Sequence, residues 1–413
     1  MTTTRWTDAF LDDMRKVADP RADDVIATLF AEGEVAHVNA LFKTLVENDE
    51  PVPRHLPAVV GEYFSQTEGL PDWSDEKLLA KGEEVFMAYG LHIVAALFFS
   101  SLPECYAGAK GAHALAITAR LSKRPYRRIV ETAQFIIDTM SPGGLGPEGA
   151  GIRSAQKVRL MHAAVRHMCN TQPHWDPTWG KPINQEDLAG TLMTFSTVVL
   201  DALHRLGLDV EPAQQEAYFH TWRNVGHLLG IDARLIPRDV ADGRDLMNAI
   251  RRRQHAGSPV GVELTTALVK FMEHVVPGTL FDPVPGHLIR YLVGDEVADM
   301  LELPSLNALE RMVLAASAAL EHLVDLPLRH FEEMDRLFEV FNHKVFEGLL
   351  LVTRGDSRPP FRIPSSLRRS WGLHVTAGGS VRLAEATAGA VEIPLTGSDA
   401  SPRPSRRPQR APR

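Results

Sequence analysis

The sequence predicts an all-α protein, and three observations lead to that class. Most of the chain from residue 8 to about residue 350 is rich in residues of high helix propensity, such as Leu, Ala, Met, Arg and Glu. Residues that cap helices precede several of these segments. Only the short stretch Val381-Arg382-Leu383 can pair as a strand, and no internal repeat period is evident.

The first hundred residues predict short helices followed by a central one. Residues 8–48 predict two or three short helices, which end at the Pro-rich residues 51–57. Ser74 or Asp75 is suited to cap a helix that begins near Glu76 and continues to about residue 100. The end of this helix is more apolar than an exposed helix permits, and we therefore expect it to lie in the core.

The rest of the chain predicts a series of helices separated by loops. Residues 141–151 are rich in Gly and Pro and read as a connecting loop; without a GK[ST] sequence they do not form a phosphate-binding loop. Asn184 is a suitable N-cap, with Asp187 at the third helical position. The predicted helices lie at about 108–121, 126–140, 152–170, 184–206, 211–229, 238–256, 260–275, 285–301, 305–323 and 328–350.

Composition divides the chain into three parts. Residues 1–54 predict an N-terminal helical extension, and residues 55–352 predict the main helical domain. Residues 353–413 are rich in Pro, Gly, Ser and Arg, and no acidic residue follows Asp399. Such a composition cannot bury a core, and we expect this last part to be largely disordered.

Charge and cysteine content exclude several classes of protein. The formal net charge is −8, which is not typical of a nucleic-acid-binding protein. The two cysteines, Cys105 and Cys169, form neither CxxC nor CxxCH and predict no disulfide framework. The N-terminus lacks the apolar core of a signal peptide, and the apolar run at residues 93–99 is too short to span a bilayer. The sequence as written therefore predicts a cytoplasmic protein without a transmembrane segment; secretion stays open if a signal was removed, and no oligomeric state is indicated.

A polar stripe lies on the helix predicted around residues 158–168. At about 100° per residue, Arg159, His162 and Arg166 fall within about 60° of each other, while apolar residues cover the opposite side. A neutral imidazole suits a metal or a haem iron, and the arginines suit anions such as haem propionates. The alternative is a buried histidine between two arginines that are held by carboxylates elsewhere in the chain.

A second stripe lies on the helix before it. Arg128, Glu131 and Thr132 share one face, and the two stripes suit a single pocket. His162 and His167 are five residues apart, which does not give the i, i+4 spacing of a helical zinc site. The chain has no HExxH, no GxSxG and no dinucleotide fingerprint, which disfavours zinc proteases, nucleophile-elbow hydrolases and Rossmann enzymes.

The run K-V-R-L-M-H-A-A-V-R-H at residues 157–167 resembles the haem-ligand helix of the rubber oxygenases called latex-clearing proteins, whose domain also occurs in the fungal ER-bound oxygenase of mycophenolic acid biosynthesis. The resemblance covers most of residues 55–350. It includes the spacing of Arg128 and Thr132, the helix start at residues 184–187, and residues 218–230.

The resemblance implies a globin-like helical core that binds one haem b non-covalently, with dioxygen as co-substrate, so that residues 55–352 would be a haem-binding oxygenase domain. His162 matches the iron ligand, and Arg159, Arg166 and His167 match residues that hold the haem site. Arg128 and Thr132 match a pair on the distal side. In latex-clearing proteins a Lys that can take the sixth coordination position precedes this Thr, whereas the present chain has Glu131.

The resemblance also implies a reaction, the cleavage of an isoprenoid C=C bond by dioxygen into an aldehyde and a ketone. The substrate would be polyisoprene or a smaller hydrophobic prenyl compound. Glu131 is the candidate base for the allylic hydrogen; the alternative is that Glu131 forms an ion pair with Arg128 or a neighbouring arginine. Two other classes stay open, namely a haem protein with gas-binding or peroxidase activity and a haem-free helical interaction protein.

Overall fold

A computed structural model gives the fold of the greater part of the chain. Where it describes the chain, the protein is helical except for one antiparallel hairpin, in which Leu373–Val375 (β1) pairs with Val381–Leu383 (β2). The predicted all-α class and the predicted strand at residue 381 are thereby confirmed. The described residues are 5–34, 47–53, 56–121, 127–171, 175–275, 284–305, 367, 373–375 and 381–383.

Fifteen α-helices lie within the described ranges. The helices are α1 (Asp8–Arg15), α2 (Pro20–Glu32), α3 (Ala58–Gln66), α4 (Glu76–Ala96), α5 (Leu102–Ala107), α6 (Ala109–Leu121), α7 (Arg127–Met140), α8 (Gly151–Thr171), α9 (Gln185–Phe195), α10 (Thr197–Arg205), α11 (Pro212–Leu228), α12 (Val240–Gln254), α13 (Pro259–Val275), α14 (Val284–Val293) and α15 (Asp295–Met300). The helices predicted at 305–323 and 328–350 and the predicted tail beyond residue 400 fall outside the described residues.

Local capping chemistry sets the start of two helices as expected. The Asp75 carboxylate accepts hydrogen bonds from the backbone N–H groups of Lys77 and Leu78 at the start of α4. The Asn184 side chain accepts one from Asp187 N at the start of α9. Both caps satisfy N–H groups that have no partner inside the helix, and both confirm the sequence prediction.

Two predicted helices are broken in the structure. The helix expected at 184–206 divides at Ser196, where the Ser196 hydroxyl donates to the Leu192 carbonyl and the backbone leaves helical geometry. A serine that bonds to a carbonyl of the preceding turn bends a helix in this way. The helix expected at 285–301 divides at Gly294, whose φ is 87°. This left-handed conformation ends α14 because glycine adopts it without a steric cost.

The core is organised around the close packing of α4 against α11. Gly82 of α4 lies against the α11 backbone, and a Cβ built there would be 2.7 Å from the Ala217 carbonyl oxygen. Helix α4 continues through a π-helical turn, Leu97–Ser101, into α5. The combined helix Glu76–Ala107 has the length and apolar character of a membrane span, but 67% of its most apolar window is buried inside the fold. This burial is typical of a core helix and agrees with the predicted central position.

Helix α8 is covered on two sides by other helices. On one side α7 packs against it and joins it through residues 141–150. On another side α2 and α3 enclose a small apolar cluster with Leu160 and Ala163 of α8. The N-terminal helix α2 therefore contacts the helix that carries the predicted polar stripe.

Substitution of Gly82 tests the α4–α11 packing. We expect Gly82→Ala to lower the free energy of unfolding by about 1–3 kcal/mol, because the new methyl group overlaps the Ala217 carbonyl and the Thr221 hydroxyl. Gly61→Ala in α3 is the matched control, since a Cβ there meets nothing within 4 Å. It should be neutral or stabilising by about 0.5–1 kcal/mol. Urea denaturation measures both, and equal effects at the two positions would contradict this packing.

Candidate functional site

The two predicted polar stripes lie on neighbouring helices that form a hairpin. Near the connection, the Ser154 hydroxyl of α8 donates to the Asp138 carboxylate of α7, which also accepts from Gln134 Nε2 at 2.7 Å. Glu131 is seven residues before Asp138, and His162 is eight residues after Ser154. At about 1.5 Å per residue, the two lie about 10–12 Å from the same contact, measured along their own helices. The hairpin therefore brings Glu131 and His162 to a similar level.

The structure describes the side chains of two of the three residues of the α7 stripe. Glu131 and Thr132 are half-buried and adjacent on α7. Arg128 lies one turn earlier, in the first turn of α7, but its side chain is outside what the structure describes. The predicted common face of these residues follows from the helix itself. Their predicted catalytic roles are not tested by it.

His162 is half-buried in the middle of α8. It follows Val158 by one turn, and Val158 packs against the main core. Across the described residues no group of three or more His, Cys, Asp or Glu side chains is arranged to hold a metal ion. A haem iron needs only one imidazole from the protein because the porphyrin supplies four nitrogens, so this donor set fits haem.

The arginines of the stripe are held by carboxylates of α2. Arg159 donates from Nε and Nη2 to the two carboxylate oxygens of Asp19, at 2.5 and 2.8 Å. Arg166 donates from Nε to Asp23 at 2.6 Å and from Nη1 to the Ile183 carbonyl. The sequence left two kinds of partner open for these arginines, the propionates of a haem and carboxylates elsewhere in the chain. The structure shows carboxylates of the chain as their partners. Binding of a cofactor's anionic groups by these arginines stays a prediction.

Burial and charge act in opposite directions on Arg159. Burial disfavours its positive charge, but the Asp19 carboxylate outweighs this effect and raises the pKa of Arg159 above its usual value. His167, the remaining residue of the predicted site, stacks on Phe30 of α2 with ring centroids 4.3 Å apart. Three of the four predicted α8 site residues therefore contact α2.

Two distant segments meet at Arg159. Gly230, with a φ of 76°, lies so close that a Cβ there would be 2.5 Å from Arg159 Nε. The Gly230 carbonyl accepts from Gln185 Nε2, which also donates to the Ala18 carbonyl next to Asp19. The helix start at residues 184–187 and the segment ending at Gly230 are thus brought together with the α8 stripe, as one site requires.

The loop between α7 and α8, expected from the sequence to be a simple connection, is held in place by hydrogen bonds from Asn48. The Asn48 amide donates to the carbonyls of Gly144 and Gly146, and its oxygen accepts from Arg153 N at the start of α8. Gly149 leaves no space for a side chain because its Cβ position overlaps the Gly143 and Gly144 carbonyls. Asn48 therefore fixes the turn from which α8 starts.

Sequence reasoning missed two half-buried ionisable groups near each other at the hairpin, Lys157 and Asp138. Burial lowers the pKa of Lys157 to about 8, partly offset by the nearby Asp138 carboxylate. Burial also raises the pKa of Asp138, against the hydrogen bonds that it accepts from Ser154 and Gln134. The i, i+3 spacing of Ser154 and Lys157 was visible in the sequence, but nothing local indicated that Asp138 would face them.

The comparison with protein families identifies the class of protein to which this helical hairpin belongs. Residues 81–322 match the family described as ER-bound oxygenase mpaB/B'/Rubber oxygenase, catalytic domain. The match covers more than half of the chain. The chain therefore belongs to this family of oxygenases, and the resemblance inferred from the α8 motif is confirmed.

Two relatives extend this result beyond the family match. The chain is 32% identical to the Rubber oxygenase of Streptomyces sp. (strain K30) over 335 residues, which cover 76% of this chain and 79% of that protein. It is also similar to the structure of Latex Clearing Protein LCP in the closed state, with a TM-score of 0.73 and 28% identity. That alignment covers 86% of this chain and 95% of the other. The helical core is therefore shared with a latex-clearing protein.

The burial of Lys157 predicts a pH-dependent stability. Its pKa is about 8 in the folded protein and 10.5 for the free side chain, so below pH 8 both states are charged and the folded state bears the full cost of burial. As pH rises from 8 to 10.5 this cost disappears. Lys157→Met should therefore raise the free energy of unfolding at pH 7, by up to about 3 kcal/mol, and the gain should vanish near pH 10.5.

Urea denaturation of wild type and Lys157→Met at several pH values measures this difference. Lys16→Met is the control, since the Lys16 side chain is exposed. A gain for Lys157→Met that is the same at pH 7 and pH 10.5 would show that the ammonium group is not desolvated.

Proposed function

We propose that the protein is a b-type haem oxygenase that cleaves isoprenoid C=C bonds with dioxygen. The observation that carries this proposal is the placement of His162 on α8, between two arginines that α2 holds, in a chain of the oxygenase family. The similarity to a protein named Rubber oxygenase supports an isoprenoid substrate. The reaction converts R₂C=CHR′ and O₂ into a ketone and an aldehyde, which accounts for all atoms.

His162 would hold the haem from α8 through its neutral imidazole. A histidine-bound haem supplies the binding and activation of dioxygen. The residues of the chain then have two tasks. In this proposal, apolar side chains of the pocket would bind the isoprenoid chain and exclude water, and the α7 stripe would act at the reacting carbons.

Glu131 is the proposed base on the α7 stripe. Its carboxylate would accept the allylic proton of the substrate and return it before the products leave, since the ketone and the aldehyde together retain every hydrogen of the alkene. Arg128 and Thr132 would shape the same side of the pocket. The resemblance to latex-clearing proteins implies a lysine that can ligate the haem iron at this position, whereas the present chain has Glu131. We therefore expect that no lysine from this position of α7 would compete with dioxygen for the bound haem.

Haem content tests the ligand assignment. We expect the purified protein to carry about one non-covalent haem per chain, because the chain has no CxxCH for covalent attachment. His162→Ala should lose most of this haem, whereas His204→Ala, at an exposed position of α10, should retain it. The pyridine haemochromogen assay measures the stoichiometry. Full haem occupancy in His162→Ala would contradict the assignment, and a wild type without haem would favour an interaction protein.

Turnover tests the role of Glu131. A catalytic base contributes about 10²–10⁴-fold, so Glu131→Gln should slow cleavage of polyisoprene or a farnesyl substrate by at least about tenfold while the haem spectrum is retained. Glu84→Gln, at an exposed position of α4, is the control. Products are identified by mass spectrometry under ¹⁸O₂. A wild-type rate in Glu131→Gln would reduce Glu131 to an ion-pair partner. Dioxygen consumption without alkene cleavage would favour gas-binding or peroxidase chemistry.

A further inference from the structure

We propose that Asp19 and Asp23 of α2 are positioning residues for His162, so that the N-terminal helix is part of the haem site. This inference rests on the proposed function, because it concerns the orientation of the proposed iron ligand. Helix α2 lies outside residues 81–322, the range that matches the oxygenase family. The site thus depends on a segment that precedes the family's catalytic domain.

The two ion pairs are placed on either side of the histidine. Arg159 precedes His162 by three residues, and Arg166 follows it by four, so each pair lies about one helical turn from the imidazole. The pairs are about 10 Å apart along α8. Two anchors at this separation on one face resist both rotation of α8 about its axis and tilting of α8 against α2.

The Asp19–Arg159 pair is a rigid anchor because of its burial and its geometry. Asp19 is 4% exposed and Arg159 is 9% exposed, and their two-point contact fixes the plane of the guanidinium. Gly230 closes the far side of that guanidinium, where any side chain would overlap it. Arg159 therefore cannot move without displacing the segment after α11.

The carboxylates of Asp19 and Asp23 lie at the N-terminal end of α2, where negative charge is favoured. Asp19 is the N-cap of α2 and Asp23 lies in its first turn, where the helix dipole favours anions. The Asp19 side chain makes no capping hydrogen bond to its own helix. Its carboxylate is used for Arg159 instead, so this N-cap position serves the contact between helices.

Apolar contacts also join α2 to α8, independently of the ion pairs. Val25 and Leu29 of α2 share a buried cluster with Leu160 and Ala163 of α8. These apolar contacts do not involve the carboxylates, and we therefore expect α2 to remain associated with α8 when the carboxylates are neutralised. We expect the melting temperature to fall, as it does when a buried arginine loses its carboxylate, and we expect in addition a loss of His162 orientation and of haem retention.

The test compares holoproteins in which ion pairs between helices are neutralised. Asp19→Asn with Asp23→Asn should release haem to excess apomyoglobin at least tenfold faster than wild type, with a shifted ferric Soret band. Asp23→Glu keeps the negative charge at a partly exposed position, and this variant should release haem at a rate close to that of the wild type. Both rates and spectra report on the haem ligand, which a purely structural role of α2 would not change.

Glu104→Gln is the matched control. Glu104 is 3% exposed and forms a two-point contact with Arg251 of α12, at 2.7 and 3.0 Å, away from α8. Its melting temperature should fall to a similar extent, with haem release within twofold of wild type. Equal haem release in wild type and the Asp19→Asn/Asp23→Asn variant would overturn the inference alone, and so would equal acceleration in Glu104→Gln. A wild type without haem would overturn the proposed function and this inference together.

Discussion

Ion pairs between α2 and α8 are the constraint on which the candidate site depends. Arg159 and Arg166 are buried, and a buried arginine without a carboxylate would be strongly destabilising. The pairs therefore couple the position of α2 to that of α8. Because His162 lies between them, its direction is set by contacts that it does not itself make.

Buried ion pairs between helices also occur elsewhere in the molecule. Glu186 at the start of α9 is fully buried and pairs with Arg15 of α1 and Arg253 of α12, while Gln254 donates to the same carboxylate. Arginine is suited to this use because its planar group forms several hydrogen bonds in fixed directions. Helices at the periphery are thus tied to the core by directional polar contacts, and the apolar core supplies most of the stability.

What the sequence predicted well is local. The all-α class, the caps at Asp75 and Asn184 and the stripe of α8 depend on residues a few positions apart. The partners of the α8 stripe could not be predicted in this way, because Arg159 and Arg166 pair with carboxylates that lie 140 and 143 residues away in the sequence. No local pattern distinguishes Asp19 from the other acidic residues of its region. The breaks at Ser196 and Gly294 were missed because neither residue excludes a continuous helix by its type.

Chemical rescue of the proposed iron ligand tests directly whether His162 holds the haem. His162→Gly leaves a space on α8 in which free imidazole can replace the missing ring. We expect this variant to bind haem poorly, and we expect added imidazole to restore the wild-type ferric and dithionite-reduced spectra in a saturable manner. Wild-type haem binding by His162→Gly without imidazole would contradict the assignment of His162, and so would a spectrum that imidazole does not change.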